Sequence, residues 1–74
     1  MLRLKDLRED KEMKQVEIAK KLNISQTNYS KYELGKINIP NNILIKLAEI
    51  YDTSIDYLLG ITDVDKPYPR KNKK

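Results

Sequence analysis

Gln26, Thr27, Asn28, Ser30 and Lys31 bring hydrogen-bonding side chains close together in the middle of the chain. The chain has neither histidine nor cysteine, so the commonest general base is missing around them and catalysis is not the expectation. What such groups do well is recognise. A Gln carboxamide pairs bidentately with adenine N6 and N7, a Thr methyl meets the methyl of thymine, and a Lys ammonium donates to guanine O6 and N7. The chemistry they point to is the reading of base edges in duplex DNA. The competing account is an ordinary polar helix surface.

Reading needs a rigid support, and the stretch from Gln15 to Gly35 supplies the pattern of one. Ile18, Ala19 and Leu22 fall at i, i+1 and i+4, one face of a helix. Asn23 follows, a residue that tolerates the left-handed conformation of a sharp turn. Ile24 can plug the corner. Ser25 is a good N-cap for a second helix, since its hydroxyl can accept the free backbone N–H groups two or three residues on. In that helix Tyr29 and Tyr32 lie at i and i+3, which favours packing over base stacking, and Tyr51 and Tyr57 read the same way. Gly35 ends the helix at a position that wants positive φ. The five polar residues are left on the outer face.

Residues 2–12 read as a first helix, with Leu4 and Leu7 inward, Leu2 extending the stripe, and Lys5, Asp6, Glu9 and Asp10 in water. Arg8 borders the apolar stripe, either as a snorkelling surface residue or as an ion-pair partner for a carboxylate on a neighbouring helix. Met13 covers the core between the first two helices. Lys14 stands where a Ser, Thr or Asp cap is expected, an omission that typically costs ~1 kcal/mol, and its charge opposes the helix dipole. A phosphate facing Lys14 and Gln15 would compensate. The exposure expected for Val16 has no account in the sequence.

After Gly35 comes a loop, KINIPNN. Pro40 disfavours helix at Ile39, and Asn41 can cap a fourth helix running to about Tyr51. Ile43, Leu44, Leu47, Ala48, Ile50 and Tyr51 form its wide apolar stripe, with Ile45 outside it. Asp52 and Thr53 break the helix. Ser54 caps a short fifth helix, SIDYLLG, closed by Gly60. Ile45, Leu58, Leu59 and Ile61 exceed what one small core needs, so some of them are candidates for a surface between two copies. The expected organisation is one helical domain over 1–61 and a basic, flexible tail over 62–74, marked by Pro67, Pro69, Arg70, Lys71, Lys73 and Lys74.

Seventy-four residues suffice for one small domain, whose core would be marginal by itself. The net charge is +4. Residues 11–36 and 62–74 each carry +3, while residues 37–61 carry −2. The excess thus falls on the two-helix stretch and the tail, the pattern of a phosphate-facing side. Without Cys there is no disulfide framework or thiolate site, and without His the commonest general base and metal ligand are missing. No enzymatic activity, cofactor or metal is expected. No apolar run approaches the ~20 residues of a membrane span, and MLRLKDLRED is too charged for a signal peptide. A cytoplasmic, nucleoid-associated protein with no membrane partner is expected.

The stretch LREDKEMKQVEIAKKLNISQTNYSKYELGK, followed by IPNNILIKLAEIYDTSIDYLLG, resembles the XRE, or Cro/CI-type, helix-turn-helix family of phage repressors, controller proteins and antitoxins. The likeness covers about residues 3–61, and its pieces are mutually spaced. The form with YDTSIDYLLG and a PYPR-containing tail looks like regulators of low-GC Gram-positive bacteria and their phages. The resemblance implies an all-α, compact five-helix bundle of the lambda-repressor type, with the third helix in the DNA major groove. It puts Gln26, Thr27 and Lys31 where the family contacts bases, and Asn28 where it contacts a base or a phosphate. Gln15 falls where the second helix holds a phosphate, with Lys14 beside it. Lys36 and Asn38 follow the third helix, where other phosphates are met, and Ser30 joins the phosphate set. Arg8 and Glu33 match a pair that forms an internal salt bridge in related repressors. Two departures stand out: Lys14 replaces a small hydroxyl cap, and Leu34 replaces a polar residue that often helps hold the DNA backbone.

The resulting expectation is a sequence-specific regulator of transcription, a repressor, that binds an inverted-repeat operator as a homodimer. Two such readers would meet half-sites about one helical turn, ~34 Å, apart. An antirepressor or a toxin would be the protein partner of such a chain. The rival readings are a DNA-binding antitoxin of a toxin–antitoxin pair and a protein-interaction adaptor on the same fold.

Overall fold

Residues with positive φ separate the helices from one another. The computed structural model describes residues 2–67. It contains α1 (Leu4–Asp10), α2 (Gln15–Leu22), α3 (Gln26–Leu34), α4 (Asn41–Ile50) and α5 (Ile55–Leu58). Among the described residues there is no strand, so the expected all-α, five-helix architecture is the one present. After each helix one residue turns left-handed: Glu12 (φ 56°), Asn23 (59°), Gly35 (72°), Asp52 (53°) and Gly60 (76°). The next N–H then reaches back five residues to a helical carbonyl. Met13 donates to Arg8, Ile24 to Ala19, Lys36 to Lys31, Thr53 to Ala48 and Ile61 to Asp56, all at 2.9–3.1 Å. This Schellman closure satisfies carbonyls that a helix end would otherwise strand.

The same closures correct the expected boundaries. α1 does not run over 2–12, because Glu12 turns out of the helix and the Arg3 N–H donates to the Leu58 carbonyl at 3.0 Å. Arg3 therefore caps α1, its carbonyl accepting from the Leu7 N–H at 3.0 Å, and ties that end to α5, and Leu2 lies outside the helix. Asn41 is the first residue of α4 and not its cap. Pro40 takes that place in extended conformation, and its carbonyl accepts from Ile43 and Leu44 at 3.0 and 2.9 Å. Ser54 does cap α5, its Oγ accepting from the Tyr57 N–H at 3.0 Å.

α2 packs against α3 and α4, and α4 against α5. The buried centre is Leu4, Ile18, Ala19, Leu22, Tyr29, Tyr32, Ile43, Leu47, Ala48, Tyr51 and Leu58. Met13 and Ile24 pack on its edge, as their places in the sequence suggest. Leu44 and Ile50 are only half-buried. Leu58 is fully enclosed, so it is not part of an outer face between copies. Ile45 and Ile61 are exposed, and Leu59 is half-buried.

Residues 62–65 hold to the domain. Arg3 donates from Nη1 to the Thr62 carbonyl at 3.0 Å and from Nη2 to the Asp63 carboxylate at 2.8 Å. Its guanidinium lies 4.1 Å above the centre of the Tyr57 ring. Thr53 Oγ1 donates to the Asp65 carbonyl at 2.7 Å. Of the basic residues of the expected tail, Lys66 is exposed, and Arg70, Lys71, Lys73 and Lys74 lie outside the described residues.

Candidate nucleic-acid interface

α2 begins without a side-chain oxygen at its cap, yet its first turn is not left open. The Glu17 carboxylate accepts from the Lys14 backbone N–H at 2.7 Å, half of a capping box. The acid also offsets the unfavourable Lys14 charge at the positive end of the helix. At the other end Asn23 and Ile24 close the turn. Ser25 then starts α3, its Oγ accepting from the Asn28 N–H at 3.1 Å. With Tyr29 and Tyr32 pinned in the core, the rotation of α3 about its axis is fixed.

The outward side of this pair is an open groove lined by Gln15, Gln26, Thr27, Ser30, Lys31, Leu34 and Lys36. Six of these seven carry donors or acceptors, two are cationic and none is acidic. Gln26, Ser30 and Leu34 stand at i, i+4 and i+8, with Thr27 and Lys31 alongside, so α3 presents one continuous stripe.

Beneath that stripe lies a buried polar clamp. Arg8 Nε donates to Glu33 Oε2 at 2.6 Å and Arg8 Nη2 to Glu33 Oε1 at 3.3 Å. Arg8 Nη1 donates to the Met13 carbonyl at 3.0 Å. Gln15 Nε2 donates to Glu33 Oε1 at 2.9 Å. The Glu33 side chain is 3% exposed and that of Arg8 13%. Burial pushes the Glu33 carboxyl up, but Arg8, Gln15 and the Tyr29 hydroxyl together outweigh it and hold the group below the ordinary carboxylate value. Arg8 is thus an ion-pair residue and not a snorkelling one. It also neutralises the one acid of α3, so no bare negative charge lies under the groove. Further in, the Tyr29 and Tyr51 hydroxyls meet at 2.8 Å, joining α3 to α4. Burial pushes Tyr51 up to about 12 and drives Tyr29 higher still.

The structure brings Gln15, Gln26, Thr27, Ser30, Lys31 and Lys36 together in one groove. Lys14 and Asn28 are exposed but do not line it. Asn38 sits elsewhere, in a second groove with Leu2, Gly35, Ile37, Ile39, Leu44 and Leu59. Two features escape the sequence reading. The Gln15–Glu33 hydrogen bond joins residues 18 apart on different helices, and no spacing rule announces it. Leu34 lines the groove although its residue type gave it no assigned contact. Among the described residues no group of His, Cys, Asp or Glu is placed to hold a metal ion. None of the described helices is long and apolar enough to cross a membrane.

A family model described as helix-turn-helix matches residues 4–58, from the start of α1 to the end of α5. The chain belongs to the helix-turn-helix family. It is 42% identical over 64 residues to the HTH-type transcriptional regulator ImmR of Bacillus subtilis (strain 168), covering 86% of this chain and 50% of that protein. It is 38% identical over 73 residues to the HTH-type transcriptional regulator YobD of the same strain, covering 97% of this chain and 65% of the relative. A third regulator from that strain, YqaE, is 37% identical over 71 residues, 96% of this chain and 61% of its own. The chain therefore spans between half and two thirds of the length of these relatives. No solved structure matches it significantly. In this helix-turn-helix chain the motif is α2, the Asn23–Ser25 turn and α3, and the groove follows α3 along its exposed side.

Proposed function

We propose that this chain is a sequence-specific DNA-binding regulator of transcription, acting as a repressor, which binds an inverted-repeat operator as a homodimer with α3 in the major groove. The carrying observation is the groove itself, where Gln26, Thr27, Ser30 and Lys31 share one face of a rotationally fixed helix and no acidic side chain lines the groove. Gln26, Thr27, Asn28 and Lys31 would contact bases, each good contact giving ~1–3 kcal/mol of discrimination. Gln15, Lys14, Ser30, Lys36 and Asn38 would hold phosphates and set the register of the helix. Gln15 Nε2 gives one of its two N–H groups to Glu33 and keeps the other for such a contact. One α3 spans only a few base pairs, and a second copy doubles the sequence read. As a repressor, such a dimer would act by occupying a promoter and excluding the transcription machinery. The regulators to which the chain is similar support the assignment of class.

Fluorescence anisotropy tests this. The chain is titrated against the duplex upstream of its own gene and a shuffled duplex, each at two salt concentrations. The expected outcome is a preference of ~10³ or more for the native duplex, with affinity falling steeply with salt. Gln26→Ala and Lys31→Ala should erase that preference. Weak and equal binding to both duplexes, and to duplexes selected from a random pool, would sink the proposal and favour a protein adaptor.

A further inference from the structure

The buried clamp has one member that also reaches the surface. Arg8 takes Glu33 Oε2 at 2.6 Å, and Gln15 Nε2 takes Oε1 at 2.9 Å, with Arg8 Nη2 farther from the same oxygen at 3.3 Å. The Arg8–Glu33 pair would join α1 to α3 without Gln15. Yet Gln15 is half-buried, lines the α3 groove and spends a donor on an acid enclosed beneath it.

The consequence lies in the chemistry of the two groups. The last torsion of a glutamine is two-fold, so a free carboxamide presents its nitrogen or its oxygen on the same side. A carboxylate only accepts. It therefore admits Gln15 Nε2 and turns Oε1 away, and the second N–H is left for the groove, as a donor for an anion. Arg8 cancels the charge of Glu33, so the carboxylate does this without repelling that anion. We infer that Glu33 is a positioning residue of the DNA interface, holding the Gln15 carboxamide donor-outward for a phosphate before DNA arrives, an inference that rests on the DNA-reading role proposed above. A long side chain ordered in advance loses no freedom on binding.

Glu33→Gln tests the polarity of this contact. Arg8 can only donate, so it claims the oxygen of the new carboxamide and leaves its NH2 facing Gln15, which must then turn Oε1 inward. The wild type, E33Q, Q15A and Q15A/E33Q are titrated against a selected operator, with circular dichroism confirming that each is folded. E33Q and Q15A should each weaken binding about tenfold, the scale of one hydrogen bond to a charged group. The double variant should bind no more weakly than Q15A, because Glu33 acts through Gln15. Losses that multiply would overturn the inference, since a merely structural Glu33 matters whichever residue stands at 15. Wild-type affinity in E33Q would overturn it too. A second measurement needs no substitution. In the free wild-type chain, 15N relaxation of the Gln15 carboxamide should match the α2 backbone, while that of exposed Gln26 shows fast averaging. Equal averaging of both would overturn the inference. Failure of the wild-type chain to prefer any duplex would instead remove the DNA-reading role, and the positioning role with it.

Discussion

Two arginines of the N-terminal segment do the same thing in different surroundings. Arg8 and Arg3 each tie a distant segment back by ion pair and by backbone carbonyl, to Glu33 and Met13 in one case and to Asp63 and Thr62 in the other. The Glu33 side chain is 3% exposed, whereas that of Asp63 is 99% exposed. Burial makes the first clamp structural: the Glu33 carboxylate cannot return to water without unfolding, so it requires Arg8. The second clamp competes with solvent at every moment, and exposed pairs of this kind contribute little. The Arg8 clamp also lies directly beneath the candidate reading face and includes Gln15, one of its residues. The Arg3 clamp holds only residues 62 and 63.

Breaking the buried clamp should have the largest effect. Arg8→Ala leaves the Glu33 carboxylate enclosed without its cation and should cost about 3 kcal/mol, the low end for a buried pair since Arg8 keeps some contact with water. For a domain with only ~5 kcal/mol to lose, urea unfolding should show a much lower midpoint. The double variant R8A/E33A should lose less than the two single changes added together.

Acid tests the same clamp without mutation. Glu33 has a folded pKa below its unfolded value, so its stabilisation is complete above about pH 4.5 and is lost as pH falls through the lower folded value. Thermal melts of the wild type should therefore decline below pH 4.5, and Glu33→Gln should flatten that decline from a lower starting Tm. Alkali probes the layer beneath. Tyr51 is pushed up to about 12 from an ordinary 10.0, so the folded state keeps its proton longer and stability should fall as pH rises above 10. Tyr51→Phe should make that limb shallower without abolishing it, since Tyr29 is raised further still, and should cost about 1 kcal/mol at neutral pH, because it removes the partner of the Tyr29 hydroxyl.

A smaller effect of opposite sign would sharpen the comparison. Glu12 holds φ at 56° in the turn that leads to Met13, whose carbonyl Arg8 takes. Glu12→Gly should relieve the backbone there and gain about 0.5–1 kcal/mol, read as a higher urea midpoint. The smallest effect belongs to Arg3→Ala. Its melting curve should overlie that of the wild type, while amide exchange at residues 62–65 should quicken. A large drop in Tm for this variant would mean that the two clamps are energetically alike.

Much of the motif was legible because its signals are local. Asn23 as a left-handed turn, Ser25 as a cap, Gly35 as a stop and the inward tyrosines each depend on a few neighbouring residues. Glu12 was less legible than Asp52, which the sequence marks as a helix break, because an acid holds positive φ only when the helix closure repays the strain. The end of α1 was therefore set too late. Asn41 looked like a cap by type, but the extended Pro40 beside it already offered the carbonyl that starts α4. Leu58 looked like surplus apolar surface until α5 folded it against the core, where it is fully buried. The groove residues were recognisable by type and family place, except Leu34, whose type gave no hint of a polar neighbourhood.

The sequence by itself determined the helical character, the turn between α2 and α3 and which side chains of α3 remain outside. Those follow from periodicity, capping and backbone preference, which act over a handful of residues. Only the tertiary structure decided that Glu33, Arg8 and Gln15 share one buried network, that Asn38 faces a different groove from Lys36, and that residues 62–65 lie against the domain. Each of these depends on where separate segments meet in space. That meeting is set by the packing of the whole core, which no local window of residues contains.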